Sequence, residues 1–338
     1  MKRLLLIILL ASFVYFGFND KSEVKYTGVE RIKFENLIKT VEYLASPELK
    51  GRLGGSEGYY KAASFIADEF KKLGLKPIGD EGYFQNFNVE YNEIIAPCKF
   101  AMVNKEGSLI NYKLGDDFVC RGFTGSGNIN AEVVFVGYGF SEKTYDFDEY
   151  ENTDVKGKIA IMFKQTPNWK HGENNWNQSL RYRAKIAQDN GALGIIFVSK
   201  PNDRYPQKPI GSVMDGEGDH LENFPMIHAD ITVIDQLLAE SGKNLKDIQT
   251  QIDESKKPVS ILTNQKVHLE VNAKYDKARR TMNVAGLLEG SDNKLKNEYL
   301  VIGAHLDHTG GQAGEIYFPG ANDNASGSAS VLEIARAF

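Results

Sequence analysis

The sequence predicts an α/β protein, because short apolar runs typical of buried strands alternate with segments of helical periodicity. Residues 299–302 form a short, partly β-branched apolar run that ends at Gly303, as a buried parallel strand would. Residues 265–273 alternate apolar and polar side chains, which predicts a half-exposed strand. Apolar side chains at helical spacing in residues 34–44 and 56–73 predict two helices before the first strands.

Length and composition are those of an ordinary soluble globular protein. The 338 residues are enough for about two domains with a large core. Hydrophobic residues make up 42% of the chain and charged residues 25%. The formal net charge of −5 argues against a nucleic-acid partner, because such proteins favour a basic surface.

The N-terminus predicts export. Lys2 and Arg3 are basic, and residues 4–18 are almost entirely apolar. This run is short for a membrane-spanning helix and suits the core of a signal peptide. No clear small-residue cleavage site follows, so residues 1–20 are a signal peptide or a membrane anchor, with residues 4–18 as the tether. The protein is then periplasmic, extracellular or membrane-anchored.

The first helices enclose a glycine-rich loop. Pro47 marks the exit of the first helix, and the second begins at an N-cap Ser56 and ends at Gly74. Arg52 lies in the loop between them; it could reach substrate, but we interpret it as a surface arginine that anchors the loop. Residues 98–103 and 108–114 flank a turn sequence and predict a β-hairpin.

The middle of the chain mixes short strands and helices. Strands are predicted at residues 131–136, 158–163 and 193–198, and helices at 180–190 and 232–241. The histidines of this block, His171, His220 and His228, are interpreted as loop or core residues and not as metal ligands. The two cysteines, Cys98 and Cys120, do not have zinc-knuckle spacing, and a disulfide between them stays open.

The C-terminal segment carries the chemistry. His305 and Asp307 follow the predicted strand at 299–302 and would lie on one face if the extended geometry persists. An imidazole with a carboxylate beside it is typical of a metal site, because the carboxylate fixes the ring. Asp323 supplies a second anionic ligand from a glycine-flanked loop, and a helix follows with Ser326 or Ser328 as its N-cap.

These motifs resemble a known family. GAHLDH at residues 303–308 and PGANDNASGSASVLEIARAF at 319–338 resemble the M28 zinc aminopeptidases, as does LASPELKGRLGG at 44–55. VVFVGYGF and DVKGKIAIMF, within residues 133–163, resemble the protease-associated domain. The resemblance implies a mixed-sheet α/β zinc-exopeptidase (phosphorylase/hydrolase-like) domain, incomplete here and interrupted by a protease-associated α+β domain.

The resemblance also implies domain bounds and a mechanism. Residues 28–115 and 264–338 would be peptidase, and residues 116–263 the protease-associated insertion. Two Zn²⁺ ions would be bridged by Asp323, one of them held by His305, whose ring Asp307 orients. A hydroxide held by the metals would attack the first peptide bond of peptide substrates. The peptide bond between Asp323 and Asn324 is commonly cis in the family, and many members carry aspartate in place of Asn324.

The general-base glutamate and the other ligands of the family would lie beyond Phe338. We therefore expect a C-terminally truncated chain that binds zinc weakly and has no turnover by itself. Two alternatives remain: a non-catalytic, receptor-like binding protein on the same fold, and a single-zinc enzyme similar to glutaminyl cyclase. Zinc rests on the resemblance, since histidine and carboxylate ligands also accept cobalt or manganese.

Overall fold

A computed structural model describes residues 28–170, 173–211 and 217–338. The predicted signal peptide or anchor at residues 1–20 and His171 lie outside the described residues. Within the described ranges, no helix has the length and apolar character needed to cross a membrane.

The described chain contains helices and strands in mixed order. The α-helices are α1 Phe34–Leu44, α2 Glu57–Lys72, α3 Leu180–Asp189, α4 Ile231–Leu238, α5 Leu245–Ser255 and α6 Ser326–Ala337. The strands are β1 Lys76–Pro77, β2 Phe84–Val103, β3 Leu109–Asn111, β4 Phe118–Cys120, β5 Gly127–Phe135, β6 Ser141–Glu142, β7 Phe147–Asp148, β8 Ile159–Phe163, β9 Gly194–Val198, β10 Met226–Ala229, β11 Ile261–Val284, β12 Gly286–Leu287, β13 Gly311–Gln312 and β14 Ile316–Tyr317. Single helical turns occur at Val29–Arg31, Pro47–Leu49, Lys143–Tyr145, Ala239–Ser241 and Ala321–Ala325.

One mixed sheet of ten strands organises the molecule. Its order is β14-β13-β2-β11-β5-β8-β9-β10-β4, and β3 pairs with β2 beside this path. Strands β5, β8, β9 and β10 run parallel, whereas β11 pairs antiparallel with both β2 and β5. The predicted α/β class with a mixed sheet is therefore confirmed.

The long strands β2 and β11 form one antiparallel ribbon. Their pairing runs from Lys266 opposite Val103 to Val284 opposite Phe84, with two bulges on the way. Residues 265–273 form part of this ribbon and alternate buried and partly exposed side chains, as predicted. β11 is continuous from Ile261 to Val284, so residues 265–273 belong to a longer strand than their alternation alone predicts. The polar residues in the second half of β11 stay extended because they pair with β2.

The parallel strands are covered on both faces. Ile159, Ile161 and Phe163 of β8 pack in one core with side chains of α4 and α5. Ala160 and Met162, on the opposite face of the same strand, pack in a second core with α3. Neighbouring side chains of a strand point to opposite faces, so the continuous apolar run of β8 fits a strand buried on both sides. The sequence did not predict β10 or α5.

A third core joins the helices of both chain ends. It contains Leu44 of α1, Ile66 and Phe70 of α2, Leu306 of the loop before β13, and Leu332 of α6. The predicted start of α2 is confirmed, because the Ser56 side chain accepts a hydrogen bond of 3.1 Å from the Tyr59 amide. Gly74 follows the helix with φ of +79°, which explains the glycine there.

The buried strand predicted at residues 299–302 is wrong for this structure. These residues have no regular secondary structure, and Leu300 and Val301 are 83% and 88% exposed. An apolar run becomes a strand only if a neighbour satisfies its backbone donors and acceptors. Among the described residues no strand pairs with 299–302: β11 ends at Val284, and β12 pairs with β1.

Candidate metal centre

Two loops meet where the sequence predicts a metal site. Residues 303–310 carry His305, and the turn Ala321–Ala325 carries Asp323 just before α6. The Nε2 atom of His305 lies 3.0 Å from Oδ1 of Asp323. Both side chains are open to solvent, at 53% and 72% exposure. Two groups that are separated in sequence thus face each other at an accessible surface.

Asp307 lies on the other side of the imidazole ring. Its carboxylate is 3.5 Å from Nδ1 of His305, and its backbone oxygen is closer, at 3.1 Å. The ring nitrogen that faces Asp307 is therefore engaged by an acceptor, which leaves Nε2 for a ligand. The carboxylate distance is longer than a typical hydrogen bond, so the backbone oxygen makes the closer contact.

The turn before α6 has an unusual backbone. The Asp323–Asn324 peptide bond is cis, and both residues depart from helical dihedral angles. The Asn324 side chain turns back and accepts a 3.1 Å hydrogen bond from the Gly327 amide. A Cβ atom at Gly327 would lie 2.3 Å from Asn324 Oδ1, so only glycine allows this contact.

The predicted N-cap at Ser326 or Ser328 is wrong. Helix α6 already includes Ser326, and Asn324 satisfies a free amide of its first turn. Ser326 Oγ instead donates to the Asn322 carbonyl, 2.7 Å away. Ser328 Oγ donates to the His305 carbonyl at 3.2 Å and so links the helix to the metal-site loop. A serine just before a helix predicts an N-cap from local sequence alone. Here the turn Ala321–Ala325 instead places the Asn324 side chain within hydrogen-bond distance of the Gly327 amide.

Arg52 is the residue that sequence reasoning missed. It is fully buried, so its interpretation as a surface arginine is wrong. The guanidinium donates hydrogen bonds to the carbonyl oxygens of Leu306, Pro319 and Gly320, at 2.9, 2.8 and 3.0 Å, and to that of Leu44. Flanking glycines in residues 51–55 signal a close backbone approach, but no local pattern shows that the side chain between them is buried.

The donor types at this centre fit zinc. Imidazole nitrogen and carboxylate oxygen are common zinc ligands, and two such atoms about 2.1 Å from one tetrahedral ion lie about 3.4 Å apart. The observed separation of His305 Nε2 and Asp323 Oδ1 is 3.0 Å, so a small adjustment would place both on one ion. Within the described residues, no group of three or more His, Cys, Asp or Glu side chains could hold a metal ion.

His228 lies beside a serine, but the direction of its hydrogen bonds does not allow the histidine to act as a base on that serine. His228 in β10 is buried, and its Nε2 lies 3.1 Å from Ser199 Oγ. The Ile210 amide donates to Nδ1, so the ring proton is on Nε2, while Ser199 donates to the Gln207 carbonyl. The histidine cannot then accept the serine proton, and burial, reinforced by Arg121, holds the pKa of His228 well below its usual range. His228 is a core residue, and His220 stacks on Tyr275.

The cysteines are unbridged. Cys98 in β2 and Cys120 in β4 are free thiols, both buried in one core. The interaction of the two neighbouring thiols lowers the pKa of Cys98, and the same interaction together with burial raises the pKa of Cys120. The disulfide that the sequence left open is absent from this structure.

Comparison with known proteins identifies the chain's segments. Residues 283–338 match the model of peptidase family M28, and residues 129–237 match the PA domain. The C-terminal segment is therefore similar to peptidase family M28. Both His305 and Asp323 lie inside it. No curated protein matched the chain.

Solved structures share the M28 and PA fold. An aminopeptidase from Aneurinibacillus sp. strain AM-1 is 20% identical with a TM-score of 0.57, covering 91% of this chain and 59% of that protein. A zinc aminopeptidase from Bacillus subtilis is 20% identical with a TM-score of 0.53, covering 90% and 58%. An M28 peptidase precursor from Shewanella amazonensis is 19% identical with a TM-score of 0.58, covering 91% and 61%. The chain thus spans about three fifths of the length of these proteins.

Proposed function

We propose that the protein is a zinc-dependent aminopeptidase that removes N-terminal residues from peptides. The observation that carries the proposal is the 3.0 Å approach of His305 Nε2 to Asp323 Oδ1 at an open surface of the M28 segment. Solved structures of similar fold include a zinc aminopeptidase, which supports both the metal and the reaction. The basic and apolar N-terminus supports export, with residues 1–20 as signal peptide or anchor.

Each residue of the centre has a role in this proposal. His305 would hold one zinc ion through Nε2, while Asp307 contacts the ring from the Nδ1 side and would keep it oriented. Asp323 has two carboxylate oxygens and can bridge two ions, which supports a two-zinc centre. When bound, zinc supplies Lewis acidity, which polarises the scissile carbonyl and makes water a nucleophile near neutral pH. The high exposure of His305 and Asp323 leaves room for a peptide terminus.

The described residues alone supply a weak site. Structural and catalytic zinc centres use three or four protein ligands, and here only His305 and Asp323 converge. We therefore expect the isolated 338-residue chain to bind zinc weakly and to show no peptidase turnover. The general base and the remaining ligands would have to come from outside the described residues.

The test is hydrolysis of an aminoacyl-4-nitroanilide by the protein made from its complete gene. We expect activity that a chelator removes and zinc restores. His305→Ala and Asp323→Ala should each lower kcat/KM at least a hundredfold, since mutation of a ligand removes the ion. His268→Ala is a matched control, because His268 is partly exposed on β11 and contacts Asn130. Full activity in His305→Ala, or zinc binding without any hydrolysis, would refute the aminopeptidase assignment. The second result would favour a receptor-like binding protein.

A further inference from the structure

We propose that Arg52 is a positioning residue of the metal centre, which holds the His305 loop and the Asp323 turn at the spacing that zinc requires. The proposal rests on the proposed function, because it concerns the same centre. It assigns a role in the site to a side chain that lies more than two hundred and fifty residues before His305 in the sequence; Leu306, which accepts a hydrogen bond from it, is 254 positions away.

The hydrogen bonds of Arg52 reach both loops at once. Leu306, whose carbonyl accepts from Nε at 2.9 Å, lies between His305 and Asp307 in the chain. Gly320, whose carbonyl accepts from Nη2 at 3.0 Å, opens the turn that contains Asp323. One rigid planar group therefore fixes the distance between the two backbone segments that present the ligands.

The backbone around Arg52 adds to this connection. The Arg52 carbonyl accepts from the His308 amide at 3.1 Å, and the Gly51 carbonyl accepts from the Gly310 amide at 3.0 Å. Arg52 has φ of +47°, and a Cβ atom at Gly51 would lie 2.4 Å from the Gly310 oxygen. The loop thus adopts a conformation that brings both its backbone and its side chain against residues 306–310.

The positive charge of Arg52 favours the negative charges of Asp307 and Asp323. Burial lowers the pKa of the Arg52 guanidinium, and the negative charges of Asp307 and Asp323 partly oppose this shift. A positive charge in a buried position reduces the repulsion between carboxylates near it. The guanidinium stays protonated because the arginine pKa is far above neutral.

Arginine is required here for its geometry. A guanidinium presents up to five donors in one plane, whereas a lysine ammonium is a single point with three donors on a flexible stem. Arg52→Lys keeps the charge and loses the simultaneous contacts with Leu306, Pro319 and Gly320. This substitution therefore separates the positioning role from the charge.

Arg183 in α3 is a matched control. It is also fully buried, and its guanidinium donates to backbone carbonyls of Tyr138, Phe163 and Lys164 in the PA segment. Arg183→Lys removes the same kind of contacts in a different core. Both substitutions should lower the melting temperature, but only the one at Arg52 should affect the metal centre.

The experiment measures the zinc affinity of the protein made from its complete gene by competition with a chromophoric chelator. We expect Arg52→Lys to weaken zinc binding about tenfold or more, as loss of a group supporting metal ligands commonly does. Arg183→Lys should leave zinc affinity within about twofold of the wild type. Equal zinc affinity in the wild type and Arg52→Lys, with His305→Ala still abolishing binding, would overturn the positioning role and leave the proposed function intact. Absence of zinc binding by the wild type would count against the proposed function itself.

A measurement on the wild type covers the case in which Arg52→Lys does not fold. Zinc should slow hydrogen exchange of the His308 and Gly310 amides, because their partners are the carbonyls of Arg52 and Gly51. Amides in the PA segment, such as Val136, whose partner is Ile161, should be unaffected. Unchanged exchange at His308 and Gly310 in zinc-saturated protein would contradict the proposed connection.

Discussion

Asn324 combines two local tasks next to the metal centre. It follows the proposed ligand Asp323 in the chain, and its side chain accepts a hydrogen bond from the Gly327 amide at the start of α6. Caps of this type satisfy a backbone donor that the helix itself leaves free. The position therefore connects the backbone that carries Asp323, the proposed zinc ligand, with the start of helix α6.

Removal of this cap is expected to destabilise the fold. Asn324→Ala should lower the free energy of unfolding by about 1 kcal/mol, whereas Asn324→Asp, which keeps an acceptor, should stay within about 0.5 kcal/mol of the wild type. Urea unfolding followed by circular dichroism measures both. Ser330→Ala is the control, since Ser330 Oγ contacts only the Ser326 carbonyl of its own exposed helix face. A loss of stability for Ser330→Ala as large as for Asn324→Ala would contradict the capping role.

At the level of helices, α6 supports α1 through one carboxylate. Glu333 in α6 is 3% exposed and accepts hydrogen bonds of 2.9 Å from the Lys33 amide and from Arg336 Nε. Lys33 is the N-cap residue of α1 and makes no side-chain cap of its own. A negative group from a distant helix thus satisfies a donor at the positive end of α1. Burial raises the pKa of Glu333, but the Lys33 amide and Arg336 outweigh it and hold the pKa below its usual range.

This contact predicts a pH-dependent contribution to stability. Because the folded pKa of Glu333 is lowered, its stabilisation is complete above the ordinary carboxyl pKa of the unfolded chain, 4.5, and is lost as pH falls through the lower folded value. At pH 7, Glu333→Gln should cost about 2 kcal/mol, in line with a hydrogen bond to a charged group. The difference in the free energy of unfolding between Glu333→Gln and the wild type should shrink as the pH falls through the folded pKa of Glu333, below 4.5.

Denaturant unfolding of both proteins at a series of pH values tests this prediction. Glu35→Gln is a suitable control, because Glu35 is an exposed residue in the first turn of α1. A cost for Glu333→Gln that is the same at pH 7 and at pH 3 would show that lost packing, and not the carboxylate charge, is responsible.

For the whole molecule, the unusual feature is an apolar segment in solvent. Tyr299, Leu300 and Val301 are 77%, 83% and 88% exposed, although their sequence is typical of a buried strand. The adjoining hollow, about 700 Å³, is lined by Phe87, Val284 and other apolar residues of the ribbon and helices. Exposed apolar surface of this kind commonly binds partners or promotes aggregation.

Polar substitutions in this segment should be tolerated. The double variant Leu300→Ser with Val301→Thr should unfold within about 0.5 kcal/mol of the wild type, because these side chains contribute little packing where they are. It should also bind less of a hydrophobic fluorescent dye. Leu332→Ala is the contrasting control: Leu332 is 2% exposed, and its truncation should cost about 3 kcal/mol. A large loss of stability for the double variant would mean that 299–302 is buried in solution.

Local sequence determined much of this protein. The start and end of α2 at Ser56 and Gly74 and the alternation in 265–273 depend on neighbours within a few residues, and each was predicted correctly. The pairing of His305 with Asp323 was predicted because their motifs resemble those of a known family. The resemblance of these motifs to the family therefore predicted that the two residues meet, which the spacing of residues within each motif does not show.

Contacts between distant residues required the tertiary structure. Burial of Arg52 depends on carbonyls 254 to 268 positions away, and the capping of α1 by Glu333 spans 300 positions. The strand predicted at 299–302 failed for the same reason: its apolar pattern shows that it can pair, but pairing needs a neighbour, and no described strand takes that place. A local sequence pattern shows which hydrogen bonds and buried contacts a side chain or strand could make. Which of them form depends on the neighbours that the tertiary fold brings close.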